Sequence, residues 1–201
     1  RTVRVGDVLQ LRRRALPIEP TGNYEEIGIR SFGKGIFHKE PTTGSDLGNK
    51  RVFRIEPGDL VISNVFAWEG AIAVASMDEA GKIGSHRFMT YTPRDEQINA
   101  MWAKWFFLSE PGRDLIRRAS PGSAGRNRTL SVERFENLEI PLPPIDDQRQ
   151  LASRIDRQHR CATDLDQRFA EVSTITSALA VSLTSRPDLS ETEKLRAGWE
   201  R

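Results

Sequence analysis

Two glycine-rich stretches carry the side chains best suited to grip an anion. The first is Arg30-Ser31-Phe32-Gly33-Lys34-Gly35-Ile36-Phe37-His38-Lys39. Gly33 and Gly35 permit backbone conformations closed to other residues and let the chain approach a ligand closely. Lys34, His38 and Lys39 supply donors, and Phe32 and Phe37 are expected to anchor the loop. The nucleotide P-loop spacing, Gly-x-x-x-x-Gly-Lys-Ser/Thr, is absent. The second stretch, Ser120-Pro121-Gly122-Ser123-Ala124-Gly125-Arg126-Asn127-Arg128-Thr129, is a polar loop rich in arginine.

Charge supports an anion-binding surface in the first part of the chain. Residues 1–145 hold 21 basic and 18 acidic side chains, and residues 146–201 hold 9 and 10. Arg30 to Arg51 has five basic residues against two acidic, plus His38, and Gly112 to Arg128 has five arginines against one aspartate. Either cluster alone reads as a solvated face; two together in loop-like sequence point to a partner. Arginine greatly outnumbers lysine, and its fork suits phosphate and guanine edges.

Catalytic constellations are thin. His159 and Cys161 are two apart on a helical pattern and face different sides. His38 and His86 lack the spacing of a zinc motif. Asp59 and Glu69 resemble the carboxylates of a Mg²⁺ nuclease, but Ala71 stands where the usual lysine would follow. No metal site is expected.

These loops need a scaffold. The chain has 201 residues, 37% hydrophobic and 29% charged, with mean hydropathy −0.51, a composition for one ordinary core plus an appendage. No run is apolar enough to span a bilayer, and no membrane is expected as a partner. A single cysteine, Cys161, fits a reducing, cytoplasmic setting. Residues 24–91 read as short strands with long loops: Tyr24–Ile29, Arg51–Ile55, Leu60–Ser63, Ala71–Ala75 and Ser85–Tyr91. Glu96 to Leu108 shifts to helical period, Pro111 and Gly112 end that helix, and Asp114–Ala119 is a second one. Leu130–Phe135 is a short helix capped by Thr129 or Ser131. The fold class is therefore α+β, with a first domain over residues 1–140 that joins a curved, mainly antiparallel sheet over residues 24–91 to a few helices.

At Leu138-Glu139-Ile140-Pro141-Leu142-Pro143-Pro144-Ile145-Asp146-Asp147-Gln148 the pattern breaks. Prolines lack an N–H and bias the preceding residue away from helix, so the globular fold is expected to stop there. Asp146 or Asp147 is expected to cap the next helix. Leu151, Ile155, Gln158, Ala162, Leu165, Phe169, Val172, Thr176, Leu179 and Leu183 follow at alternating spacings of four and three, a coiled-coil seam. A helix this long would reach roughly 50 Å. Residues 141–185 thus read as a proline joint and projecting helix, and 186–201 as a polar tail; a helix packed on its own domain is the alternative.

Taken together, this succession resembles the specificity subunit of type I restriction–modification systems. The most specific match is Ile140–Gln148, supported by Gly58-Asp59-Leu60-Val61-Ile62-Ser63 and by Gly122-Ser123 some twenty residues before the joint. The resemblance covers roughly residues 3–185. A full subunit of that family has two target-recognition domains, each followed by a long helix. This chain holds one of each, and so resembles a half subunit or a fragment; Arg1 as first residue makes truncation an expectation.

The resemblance implies a non-catalytic reader of double-stranded DNA that directs methyltransferase subunits, which use S-adenosylmethionine, and a translocase-nuclease that uses ATP and Mg²⁺. No cofactor is expected in this chain. The residues chosen to touch DNA are Lys34, His38, Lys39, Lys50, Arg51, Trp68, Ser85, His86, Arg87, Ser123, Arg126, Asn127 and Arg128. Leu151, Ile155, Ala162, Leu165, Phe169, Val172, Leu179 and Leu183 would join a second copy, helix to antiparallel helix. A Mg²⁺-dependent endonuclease and a protein-binding coiled-coil adaptor are the rival readings.

Overall fold

A computed structural model describes residues 1–122 and 128–184, without the side chains of 183 and 184. The elements run β1 (Thr2–Arg4), α1 (Val5–Val8), β2 (Leu9–Leu11), β3 (Asn23–Tyr24), β4 (Ile27–Ile29), β5 (Ile36–His38), β6 (Thr42–Thr43), α2 (Gly44–Leu47), β7 (Val52–Arg54), β8 (Leu60–Ser63), β9 (Ile72–Val74), β10 (Ile83–Ser85) and β11 (Phe88–Pro93). Then come α3 (Ala100–Leu108), α4 (Glu110–Ala119), α5 (Val132–Glu136), β12 (Glu139–Pro141) and α6 (Ile145–Thr184). The fold is α+β, as expected.

The centre is a four-stranded antiparallel sheet in the order β2-β11-β8-β9. Side chains alternate across a strand, and β8 is buried on both faces. Leu60 and Ile62 join the main core with Trp102, Ala103 and Phe107 of α3, Ile116 of α4 and Phe135 of α5. Val61 points the other way, into a smaller core with Ile27, Ile55 and Ala75. The antiparallel pair β4–β5 packs Ile29 and Ile36 on that second core, while Val52 and Ile83 of the β7–β10 pair form a third core with Leu47, against which Tyr24 of the β3–β6 pair packs.

Several boundaries differ from the sequence expectation. The run Tyr24–Ile29 is split between β3 and β4, and Ser85–Tyr91 is broken by a turn at His86-Arg87. Pro111 and Gly112 do not end the first helix, which stops at Leu108, but lie in the first turn of the second, α4, where a proline N–H is not needed. Gly112 is required there: an added Cβ would sit 1.9 Å from the Phe106 carbonyl oxygen. Asp146 and Asp147 stand in the first turn of α6 rather than at its cap, where negative charge suits the helix dipole.

The prolines do not end the compact fold. β12, including Pro141, pairs antiparallel with β1 at the chain start, with Thr2 opposite Pro141 and Arg4 opposite Glu139. Leu142 is buried, as are Gln148 and Ala152 inside α6. The chain divides into compact units at Arg1–Arg154 and Ile155–Arg201, so the first ten residues of α6 belong to the first unit. In the second unit Leu165, Phe169, Val172 and Leu179 are all more than half exposed. No described helix is long and apolar enough to cross a membrane.

Candidate nucleic-acid interface

The candidate residues fall into two groups and a glycine loop bonded to the segment that carries Trp68. The first group gathers at the ends of β4–β5. Ser76 caps a single helical turn, and its N–H and hydroxyl donate to Glu79 Oε2 at 2.7 and 2.8 Å. That leaves Glu79 Oε1 for His38 Nε2 at 2.7 Å. His38 Nδ1 lies 3.6 Å from Glu25, which also pairs with Lys82. Lys39 Nζ is 3.2 Å and Lys50 Nζ 3.9 Å from the same Glu26 oxygen. Glu26 and Glu79 are buried. Burial pushes the Glu79 carboxyl up, but hydrogen bonds from His38 and Ser76 outweigh it and leave the group below its ordinary value.

This lattice was hidden in the sequence. Its carboxylates lie at positions 25, 26 and 79, far from 38, 39 and 50, so the basic run of residues 30–51 looked free. In the fold His38, Lys39 and Lys50 already have carboxylate partners, and a phosphate must compete with Glu26 for Lys39 and Lys50.

The second group is less neutralised. Pairing of β7 with β10 sets Ser85 opposite Val52, which brings Arg51 beside the Ser85–Arg87 turn; His86 N donates to Arg51 O at 3.1 Å. Arg87 O accepts from Asn64 N at 2.9 Å, and Asn64 O accepts from Leu130 N at 2.7 Å. Asn64 thereby ties the turn to the segment around Arg128. The Arg128 guanidinium lies 5.7 Å from the Trp68 ring centre, and Trp68 Nε1 donates to Val65 O at 3.0 Å. Arg51, His86 and Arg87 are exposed, with no carboxylate partner among the described residues. Ser123, Arg126 and Asn127 lie outside the described residues.

The Gly33–Gly35 loop is tied to the segment that carries Trp68, with Phe32 N donating to Glu69 O at 2.8 Å and Gly33 N to Gly70 O at 3.0 Å. Lys34 is exposed there. Phe37 anchors the loop as expected: its ring covers Gly28, where any Cβ would come within 2.2 Å of it, and Arg30 stacks on it at 4.8 Å. Phe32 does not anchor anything; it is 70% exposed.

Asp59 and Glu69, the carboxylates that resemble a Mg²⁺ nuclease pair, are engaged by protein donors. Asp59 is buried, and both its oxygens accept from Arg14, at 2.6 and 3.1 Å, with Glu56 N–H as a third donor at 2.9 Å. Glu69 accepts from the Ser31 hydroxyl at 2.8 Å.

A family model, the type I restriction modification DNA specificity domain, matches residues 1–172. No curated protein matches the chain. Among solved structures, the HsdS subunit from Thermoanaerobacter tengcongensis superposes with TM-score 0.65 and 21% identity, over 89% of this chain and 46% of that one. A chain from a study of complex assembly and conformational transition of the type I R-M system gives 0.65 and 20%, over 92% and 48%. The type I restriction-modification S subunit from M. genitalium gives 0.59 and 16%, over 95% and 48%. At these identities the likeness is one of fold. The chain spans about half the length of the solved chains it matches.

Proposed function

The chain belongs to the type I restriction modification DNA specificity family, and from that premise we propose that it is a sequence-reading module for double-stranded DNA, without chemistry of its own. The observation that carries this reading is the family match across residues 1–172, joined to a group of exposed Arg51, His86 and Arg87 and half-buried Arg128 built from three separate segments. Phosphate contacts would fix register and base-edge contacts would specify sequence. Arg51 and Arg87 have the fork for either task, and Lys34 suits phosphate.

The module directs methyltransferase subunits, which bring S-adenosylmethionine, and through them a translocase-nuclease that brings ATP and Mg²⁺. Its place is the cytoplasm, where the DNA is. A second recognition domain completes the target. The exposed stripe of Leu165, Phe169, Val172 and Leu179 supports pairing through α6, in antiparallel with a second copy or a second half. At about 1.5 Å per residue its 40 residues reach about 60 Å, longer than a duplex turn of about 34 Å. Two readers so spaced would recognise a split target.

Fluorescence anisotropy with the methyltransferase partner, on the mapped target against scrambled duplex, tests the reading. Preference for the target is expected; equal affinity for both would overturn it. Light scattering at micromolar concentration tests the pairing, and a monomer would overturn that part alone.

A further inference from the structure

Phe32 is unusual among the apolar side chains of the first compact unit. Besides being 70% exposed, it holds a backbone φ of 62°, in the left-handed region. A bulky residue is rare there, and such strain persists only where the surroundings enforce it. Phe32 N donates to Glu69 O at 2.8 Å and Gly33 N to Gly70 O at 3.0 Å. Ser31 Oγ donates to the Glu69 carboxylate at 2.8 Å. Gly33 rests on Leu108, where an added Cβ would come within 3.0 Å of a methyl group. The loop backbone is thus held from below while the ring stands in solvent. Gly33 and Gly35 also take positive φ; a third glycine would make the same turn without strain, yet the chain carries a phenylalanine.

The surroundings tell what would meet that ring. Lys34 is exposed two residues on. The 66–70 segment that pins Phe32 also carries the partly exposed Phe66, and Trp68 with Arg128 stacked on it. An apolar tip among cations fits a ligand that is anionic outside and apolar inside, and duplex DNA has phosphates outside and base faces within. Resting on the DNA-reading function above, the geometry points to Phe32 as an apolar finger that enters the target duplex, contacts base faces and unstacks one step.

The test uses the full protein with its methyltransferase partner, a duplex carrying the target read from methylation mapping, and a scrambled duplex of equal length. Phe32→Ala is expected to lose about ten-fold or more of target affinity, the size of one base–aromatic contact, with scrambled-DNA binding and its salt dependence unchanged. Phe32→Trp is expected to keep most of the affinity. Phe32→Gly removes the backbone strain, so its Tm should equal or exceed that of the wild type while target affinity falls as for alanine; this separates a DNA role from a folding role. 2-Aminopurine walked through the target should brighten at one step with wild type and not with Phe32→Ala. The inference is overturned if Phe32→Ala discriminates as well as wild type, if both affinities fall together, or if no 2-aminopurine position responds. A wild type that prefers no sequence defeats the DNA-reading function itself, and that result is read before any variant is made.

Discussion

Gln148, in the first turn of α6, reaches the backbone of Asn99 at the start of α3: its Oε1 accepts from Asn99 N at 2.9 Å. Its Nε2 donates to Gln97 O at 2.9 Å and to Pro143 O at 2.8 Å. The side chain is fully buried. One amide thus satisfies three backbone groups from two segments and clamps the proline joint onto the helical layer. Gln148→Leu is expected to leave those groups buried without partners and to cost about 1–3 kcal/mol for each one water cannot reach. Urea unfolding of the variant checks this; an unchanged midpoint contradicts the clamp.

Arg14 and Asp59 tie the 12–16 segment to the turn before β8. Removing one partner of a fully buried pair costs about 3–5 kcal/mol. The Arg14 side chain is 32% exposed, so Arg14→Met is expected to cost less, about 2 kcal/mol by that scale. Thermal unfolding with matched urea melts measures it, and a neutral result would mean that solvent already screens the pair.

Glu79 predicts a pH dependence. Its carboxyl sits below the ordinary value of 4.5 in the fold, so the stabilisation it brings is fully present above that value. It is lost as pH falls through the lower folded-state value, because protonation breaks the His38 and Ser76 contacts. The stability gap between wild type and Glu79→Gln should therefore be constant above about pH 4.5 and shrink below it. A gap that widens on acidification contradicts the assignment.

Cations with and without carboxylate partners should differ in DNA binding. Arg51→Ala and Arg87→Ala, if each removes a phosphate contact, should lower the salt slope of log K by about 0.9 each. Lys39→Ala should do less, since Lys39 is already shared with Glu26. Anisotropy titrations across a salt series read this directly; a larger effect from Lys39 would place the duplex on the other group.

Leu165→Glu with Phe169→Glu should abolish association through α6 while leaving the first compact unit folded, because both side chains are exposed in the single chain. Sedimentation and circular dichroism together check it. An unchanged association state would remove the helix from the interface.

Local pattern carried much of the fold. Alternation at β8, the period of α3 and the Ser131 cap of α5 are all written in adjacent residues. What escaped was long-range. Nothing near Gln148 in sequence announces Asn99, so the prolines read as the end of the compact fold when they flank the buried Leu142 in a joint that packs back on it. The Glu25–Glu26–Glu79 lattice pairs residues up to 57 apart, so local charge overstated the free cations around Lys39 and Lys50. Phe32 next to glycine looked like an anchor because hydrophobicity does not encode φ; the Glu69 and Gly70 carbonyls that turn it outward lie far along the chain.

The most direct test of the DNA-reading account is base-resolution methylation mapping of the source genome with and without this coding sequence. The account predicts that one split motif loses its methylation when the sequence is disrupted and regains it on complementation. A methylation pattern unchanged by the disruption would contradict it.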